Sequence, residues 1–298
     1  MAKYIEKIKY FTTLNTRLFY NYNNMSIITL TSDYGTKDFF ISAVKGTILS
    51  ELNIKDVQII DISHEVTPFN LPECAYIVKN AYHSFPKNSI HIIAIDTEKQ
   101  KNKRHIAVYI DGHYFITSDS GLLSLVFPKT KATEIVEIDI GGEYETELFP
   151  TKDIFVKVAC HILRGGTLSV IGHKIDTFNS FKNLIPVEIN NGKSLTGDVI
   201  YIDRFGNIIT NIEKDLFQQT KGERDFIIYL PRGKEVNKIC KTYSDVPDGK
   251  ALILFNSSNL LEVAINRADK NAKGGASTLL GIKEGDQIII DFINIKKV

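Results

Sequence analysis

The chain has 298 residues, 43% hydrophobic and 24% charged, which excludes a disordered tail, a collagen-like chain and a disulfide scaffold and fits one large domain or two of moderate size. Its 36 basic residues against 35 acidic ones leave a net charge of +1, so the balance asks for neither nucleic acid nor an anionic membrane, and no apolar run approaches the ~18 residues of a membrane span. Cys74, Cys160 and Cys240 are odd in number, far apart and without metal or CxxC spacing, the pattern of reduced thiols in a cytoplasmic protein.

Residues 1–24 hold early lysines but no continuous apolar segment and no small-residue cleavage site, so they read as a tail outside the fold, with a surface helix as the alternative. From Met25 onward strands and helices alternate. Ile27–Thr31 is an apolar, β-branched strand. Lys37–Leu52 is a helix, with Phe40, Val44, Ile48 and Leu52 at four-residue spacing. Val57–Ile62 is a second buried strand. Asn70 caps the next helix, with Pro72 in its first turn and Glu73 three residues on, and that helix carries Ala75, Val78 and Ala81 up to Phe85-Pro86. Ser89–Ile95 is a third strand, and His105–Ile110 with His113–Thr117 form a hairpin about Asp111-Gly112. Lys152–Arg164 is an amphipathic helix.

The texture changes at Asp176–Leu184. Beyond it come short strands with turn signals: Asp198–Ile202, Asn207–Ile212, Phe226–Leu230, Ala251–Phe255, Leu261–Ile265 and Gln287–Asp291, with no long helical pattern among them. The expected architecture is an α/β N-terminal domain with a mainly parallel sheet over residues 25–176, a linker over 177–190, and a smaller all-β, barrel-like domain over 191–298.

Polar residues gather where strands end. Asp33, in Thr31-Ser32-Asp33-Tyr34-Gly35, follows the first strand, where an α/β sheet binds its ligands; it suits a vicinal diol such as a ribose, or a plain turn. Asp61-Ile62-Ser63-His64-Glu65 ends the second strand, where His64 serves a site or bonds to a loop backbone. Asp96 ends the third strand as a ligand group or a cap, followed by a solvated basic loop over 98–104. Asp119 reads as a helix N-cap. Asp203-Arg204-Phe205-Gly206-Asn207 and Phe255-Asn256-Ser257-Ser258-Asn259 read by themselves as turns between strands. No dinucleotide fingerprint, Walker motif, nucleophile elbow or metal-ligand spacing is present.

In order along the chain, ITLTSDYGTKDFF, VQIIDISHEVTPFN, AYHSFPKNSIHIIAID, DSGLLSLV, TKDIF, GDVIYIDRFGNIITNI and FNSSNLLEVAINRADKNA together resemble the S-adenosylmethionine hydroxide adenosyltransferases, relatives of the fluorinases and chlorinases that use the same substrate. The resemblance runs from Met25 to the C-terminus. It implies an α/β domain followed by a barrel-like domain, and a cytoplasmic homotrimer with each site shared between neighbouring chains. It also implies S-adenosyl-L-methionine as substrate, with neither cofactor nor metal. The implied reaction is attack of water or hydroxide at the adenosyl 5′ carbon, giving adenosine and L-methionine; the halogenases place a halide there instead.

Carried over residue by residue, the resemblance puts Asp33 on the ribose diol and Phe69 against the ligand. It puts Asp203 at the methionine ammonium, Phe205 and Asn207 around the adenine, and Ser257 at the methionine carboxylate. Glu262 and Asn266 line the adenine end, and Asp38 and Asp61 are structural. Water-using members carry an Asp-Arg-His triad. Asp96 matches its aspartate; the arginine falls on Lys103, or on Arg104 with a one-residue shift; the histidine falls on Pro150. Thr151 lies where halogenases carry a small hydroxyl. Two further readings follow from these departures: a non-catalytic or very slow protein that binds S-adenosylmethionine or adenosine, and a halogenase.

Overall fold

Strand β1, Ser26–Ser32, is buried at every residue but its first. Successive side chains of a strand point to opposite faces, so such burial requires a strand inside a sheet covered on both sides. The computed structural model, which describes residues 26–52, 57–98, 103–140, 148–181, 185–231, 233–268 and 275–294, provides both conditions. The tail expected over 1–24 lies outside these residues. The chain divides into two compact units, with the boundary after Phe181.

The first unit runs β1, α1 (Phe40–Glu51), β2 (Val57–Ser63), α2 (Leu71–Ala81), β3 (Ile90–Ala94), β4 (His105–Ile110), β5 (His113–Ser118), α3 (Leu122–Val126), β6 (Glu134–Ile138), α4 (Val156–Leu163) and β7 (Gly172–Lys174). The sheet order is β2-β1-β3-β5-β4-β6-β7. The pairs β2/β1, β1/β3 and β3/β5 are parallel; the hairpin strand β4 and the pairs beyond it are antiparallel. Val44 and Ile48 of α1 and Val156, Ala159 and Cys160 of α4 pack with Ile28, Leu30, Ile90 and Ile92. Cys74, Ala75 and Val78 of α2 and Leu122 and Leu123 of α3 pack with Ile93, Ile106 and Val108. Helices thus cover both faces.

The chain leaves β1, crosses by α1 to β2 on one side, then returns by α2 to β3 on the other. That reversal opens a crevice beyond the C-terminal ends of β1 and β3, where α/β sheets seat ligands. Two details depart from expectation. Strand β2 is half exposed, because it forms the sheet edge. The helix expected from Lys37 starts at Phe40. Asn70 caps α2 as expected, its Oδ1 accepting the Glu73 N–H at 3.1 Å, but the Glu73 carboxylate accepts from the Thr67 N–H.

The second unit holds β8 (Val187–Ile189), β9 (Ser194–Ile202), β10 (Ile208–Glu213), α5 (Lys214–Lys221), β11 (Asp225–Leu230), β12 (Lys234–Val236), β13 (Ala251–Phe255), β14 (Leu260–Ile265), α6 (Ala276–Leu280) and β15 (Gln287–Ile293). Its strands form one eight-stranded antiparallel sheet, ordered β12-β11-β15-β9-β10-β14-β13 with β8 on β9, which curls into a nearly closed, barrel-like layer. Leu195, Val199, Ile208, Ile253, Val263 and Ile290 fill it. Within the stretch expected as a linker, 177–190, residues 182–184 lie outside the described ones. Asn179 and Phe181 donate backbone N–H groups to Asp119 and Ser124 of the first unit, and β8 pairs with β9 in the second.

On the α2 side of the first sheet, three polar groups are buried in a row. Thr29 Oγ1 lies 2.7 Å from His91 Nδ1, and His91 Nε2 lies 3.2 Å from His113 Nδ1. His91 also stacks on Phe115 at 4.8 Å. Burial, with a contribution from His113, pushes the His91 pKa from 6.5 down to about 3, and burial lowers His113 as well. Between pH 6.5 and about 3 the unfolded chain binds more protons at His91 than the folded one, so stability falls as pH falls through that window. A Tm-versus-pH series should therefore show an acid-side loss that becomes shallower in His91→Phe; an unchanged slope would exclude the buried neutral imidazole as its source.

Candidate functional site

Asp33 and Asp96 follow the adjacent strands β1 and β3. The Asp33 Oδ2 accepts the Phe69 N–H at 3.0 Å. Phe69 holds a left-handed backbone, φ +64°, and leaves its ring 71% exposed. Burial pushes the Asp33 carboxyl pKa up; the N–H groups of Phe69 and of Asp33 itself pull it back, and the charge of Asp96 raises it again. The structure therefore brings together Asp33, Phe69 and Asp96. Asp96 also has positive φ, +49°, a conformation uncommon for a side chain with a Cβ.

Lys103 and Arg104 part company. Lys103 Nζ lies 2.7 Å from Asp96 Oδ1, and its side chain is only 11% exposed. The contact has ion-pair distance without the alignment of a good hydrogen bond. Arg104 points elsewhere: its Nε donates to Asp119 Oδ2 at 2.8 Å, and it reaches Glu137 and the Thr177 carbonyl. Of the two positions the sequence leaves for the triad's basic residue, Lys103 is the one beside Asp96. Residues 99–102 of the intervening loop lie outside the described residues.

Asp119 is not the expected N-cap. Gly121, at φ +94°, precedes α3 without a side-chain cap, while the Asp119 carboxylate is occupied by Arg104 and by the Asn179 N–H at 2.7 Å. His64 meets side chains: its Nδ1 is hydrogen-bonded to Ser32 Oγ at 2.8 Å, and its Nε2 lies 3.1 Å from Asp61 Oδ1 without hydrogen-bond alignment. Burial alone would raise the Asp61 pKa, but Lys45 at 2.6 Å and His64 outweigh it and hold the carboxyl low. Asp61 thus ties β2 to α1 and to the loop after it.

Pro150 precedes a π-helical turn, Thr151–Phe155, that runs into α4. Thr151 is buried, and its Oγ1 lies 2.7 Å from the Tyr34 Oη, which also lies 3.2 Å from Thr97 Oγ1. Sequence reasoning passed over Tyr34 and Thr97. Their only signal is adjacency, since each follows one of the two carboxylates.

In the second unit, Asp203 locks its own turn. Its Oδ1 accepts the N–H groups of Phe205 and Asn207 at 2.8 and 2.9 Å, and its Oδ2 accepts the Asn207 amide at 3.0 Å. Gly206, at φ +75°, passes so close to Gly275 that a Cβ would sit 2.7 Å from its Cα, so the turn admits only glycine there. The Phe205 ring is 78% exposed and Asn207 is buried. Glu262 is buried in β14 and accepts the Tyr243 hydroxyl at 2.8 Å. Burial raises its pKa, the bonds from Tyr243 and Asn256 oppose that, and the charge of Asp203 adds to it. Ser257 is exposed in the turn before β14. The Asn266 amide donates to the Val246 carbonyl at 2.7 Å and lines an open hollow of about 470 Å³ with residues 244–248 and Arg267. Among the described residues no cluster of His, Cys, Asp and Glu is placed to hold a metal ion, and no helix is long and apolar enough to cross a membrane.

Family models of the SAM hydroxide adenosyltransferase N-terminal and C-terminal domains match residues 28–172 and 197–289. The chain is 34% identical over 274 residues to an (R)-S-adenosyl-L-methionine hydrolase of Methanocaldococcus jannaschii, covering 89% of this chain and 96% of that one. It is 25% identical over 217 residues to a fluorinase of Actinopolyspora mzabensis, covering 63% and 72%. A crystal structure of a conserved protein from Thermotoga maritima superposes with a TM-score of 0.76 at 29% identity, covering 89% of this chain and 99% of that one.

The geometry gives Arg104 a structural task. Removing it leaves Asp119, 1% exposed, without its cation. Arg104→Ala should lower the unfolding free energy by about 2 kcal/mol in urea with an unchanged m-value, the partial exposure of Arg104 keeping the loss below that of a fully buried pair. A change under ~0.5 kcal/mol would place Arg104 among ordinary surface cations.

Proposed function

The chain belongs to the SAM hydroxide adenosyltransferase family, and on that premise we propose that it hydrolyses S-adenosyl-L-methionine to adenosine and L-methionine. The observation that carries the reading is Asp96 after β3, with Lys103 on it at 2.7 Å and the charge of Asp96 reaching Asp33 after β1. Asp33 keeps acceptor capacity beyond its bond to Phe69, and two ribose hydroxyls would take it. A water oxygen attacks C5′ in line with the C5′–S bond. The electron pair of that bond passes to sulfur, and the sulfonium leaves as the neutral thioether of methionine. The proton lost by the water goes to the Asp96 carboxylate, which Lys103 holds in place. Bringing water and C5′ into line supplies much of the acceleration for so good a leaving group.

In this reading Asp203 attracts the methionine ammonium, Phe205 and Asn207 meet the adenine, Ser257 bonds the methionine carboxylate, and Glu262 and Asn266 bound the adenine end. The protein works as a cytoplasmic homotrimer, each chain contributing to a neighbour's site. Two observations favour rival readings. Pro150 offers no side-chain donor or acceptor, as in a protein that binds the substrate and turns it over slowly or not at all. Thr151 offers a buried hydroxyl, as a halide site would.

The purified protein, given an excess of either sulfonium epimer in 18O-labelled water with and without chloride, should release many equivalents of adenosine carrying one label at the 5′ oxygen. Bound substrate without product would establish the binding protein, and a chloride-dependent nucleoside the halogenase. Asp33→Asn separates binding from folding. Losing the charged acceptor should weaken substrate affinity about 10- to 100-fold in calorimetry. Its Tm at neutral pH should hold or rise. Burial sets the folded pKa of Asp33 above its unfolded value, so the stability linked to this group is present below 3.8 and lost as pH rises through the folded pKa. Unchanged affinity would remove Asp33 from the ribose.

A further inference from the structure

Three hydroxyl groups from distant segments meet next to the two carboxylates. Tyr34 follows Asp33, Thr97 follows Asp96, and Thr151 opens the turn after Pro150. The Tyr34 Oη is their pivot, 2.7 Å from Thr151 Oγ1 and 3.2 Å from Thr97 Oγ1. Both threonines are buried, and the Tyr34 ring is held against Phe40 at 5.5 Å and Phe149 at 5.8 Å. Burial raises the Tyr34 pKa further above its ordinary value, so the phenol is protonated at neutral pH.

Counting protons shows what such a cluster can do. Three hydroxyls bring three O–H donors and six lone pairs. The two contacts at Tyr34 use two donors and two lone pairs. One O–H and several acceptor sites are left over. A water molecule, which gives and takes hydrogen bonds, can use both kinds of site, whereas a halide can use only the O–H. Resting on the hydrolase reading, we propose that Tyr34, Thr97 and Thr151 seat the water that attacks C5′, with the Tyr34 hydroxyl orienting it in a chain that has Pro150 in place of a hydrogen-bonding side chain. The cluster is neutral and exchanges no net proton. The water oxygen forms the bond to C5′, sulfur keeps the electron pair of the broken bond, and the proton leaves to Asp96. The division of labour is thus orientation by hydroxyls and charge by the carboxylate.

A purely structural cluster would tie the ends of β1 and β3 to the turn before α4, and the tests must separate the two roles. Tyr34→Phe keeps the ring contacts and removes only the hydroxyl. We expect kcat to fall about 10- to 30-fold, the scale of one lost orienting hydrogen bond, with KM for S-adenosylmethionine within about twofold. Thr151→Val should lower kcat in the same way and Thr151→Ser should restore it to within about threefold of the parent, so the second position carries the test should Tyr34→Phe not fold. A kcat within about twofold of the parent in Tyr34→Phe and Thr151→Val overturns the proposal, whatever happens to Tm. A fall in Tm with KM raised and kcat kept assigns the cluster to structure and overturns it too. A chlorinated nucleoside from the parent in chloride means the seat takes a halide and overturns the water seat. If the parent makes no adenosine, the hydrolase reading fails first; if the parent turns over and the variants match it, only the water seat fails.

Discussion

Everything in the first unit depends on β1 lying inside the sheet with its chain leaving on one side and returning on the other. Burial of nearly every residue of β1 makes that strand a fixed rail, and the parallel pairing with β3 sets the two strand ends side by side. Asp33 follows β1 directly, and Asp96 follows β3 after the core residue Ile95. Burial raises the Asp33 pKa most, and the charge of Asp96 adds to it. Lys103 lies on Asp96 at ion-pair distance, while Asp33 has the Phe69 N–H as its partner, so the two carboxylates are held in different ways.

The second unit solves a different problem. Two of its polar turns satisfy themselves: Asp203 accepts three hydrogen bonds within the turn it begins, and Asn256 accepts the N–H groups of Ser258 and Leu260. Such turns hold an exposed ring like Phe205 without help from a core. Glu262 stands apart as a carboxylate inside a strand, with Tyr243 bonded to it and burial, aided by the charge of Asp203, raising its pKa.

What could be read from the sequence follows the range of the signal. β1, β3, α2 and the hairpin of β4 and β5 announce themselves through apolar runs, the Asn70 cap and Asp111-Gly112, all within a few neighbouring residues. Strands β7 and β8 have three residues each, too few for a period to show. Helix α5 escaped because its sequence is mostly polar, with little beyond Leu216 and Phe217 to mark a face. Asp33 and Asp96 were legible as strand-end acids. The choice between Lys103 and Arg104 was not, because counting along a loop cannot tell which of two adjacent side chains turns inward. Tyr34, Thr97 and Thr151 were least legible of all, since their contacts join residues 63 and 117 positions apart.

The fastening of Asn179 and Phe181 to Asp119 and Ser124 has a practical consequence for dissecting the chain. A fragment ended at Asp176, where the composition changes, would strip a buried carboxylate of the N–H of Asn179 and leave Ser124 Oγ without that of Phe181. It would also expose the cleft where Gly121 packs against Phe181. An autonomous first fragment must extend through Phe181. Five residues that look like connecting rope are the hem that closes the first fold.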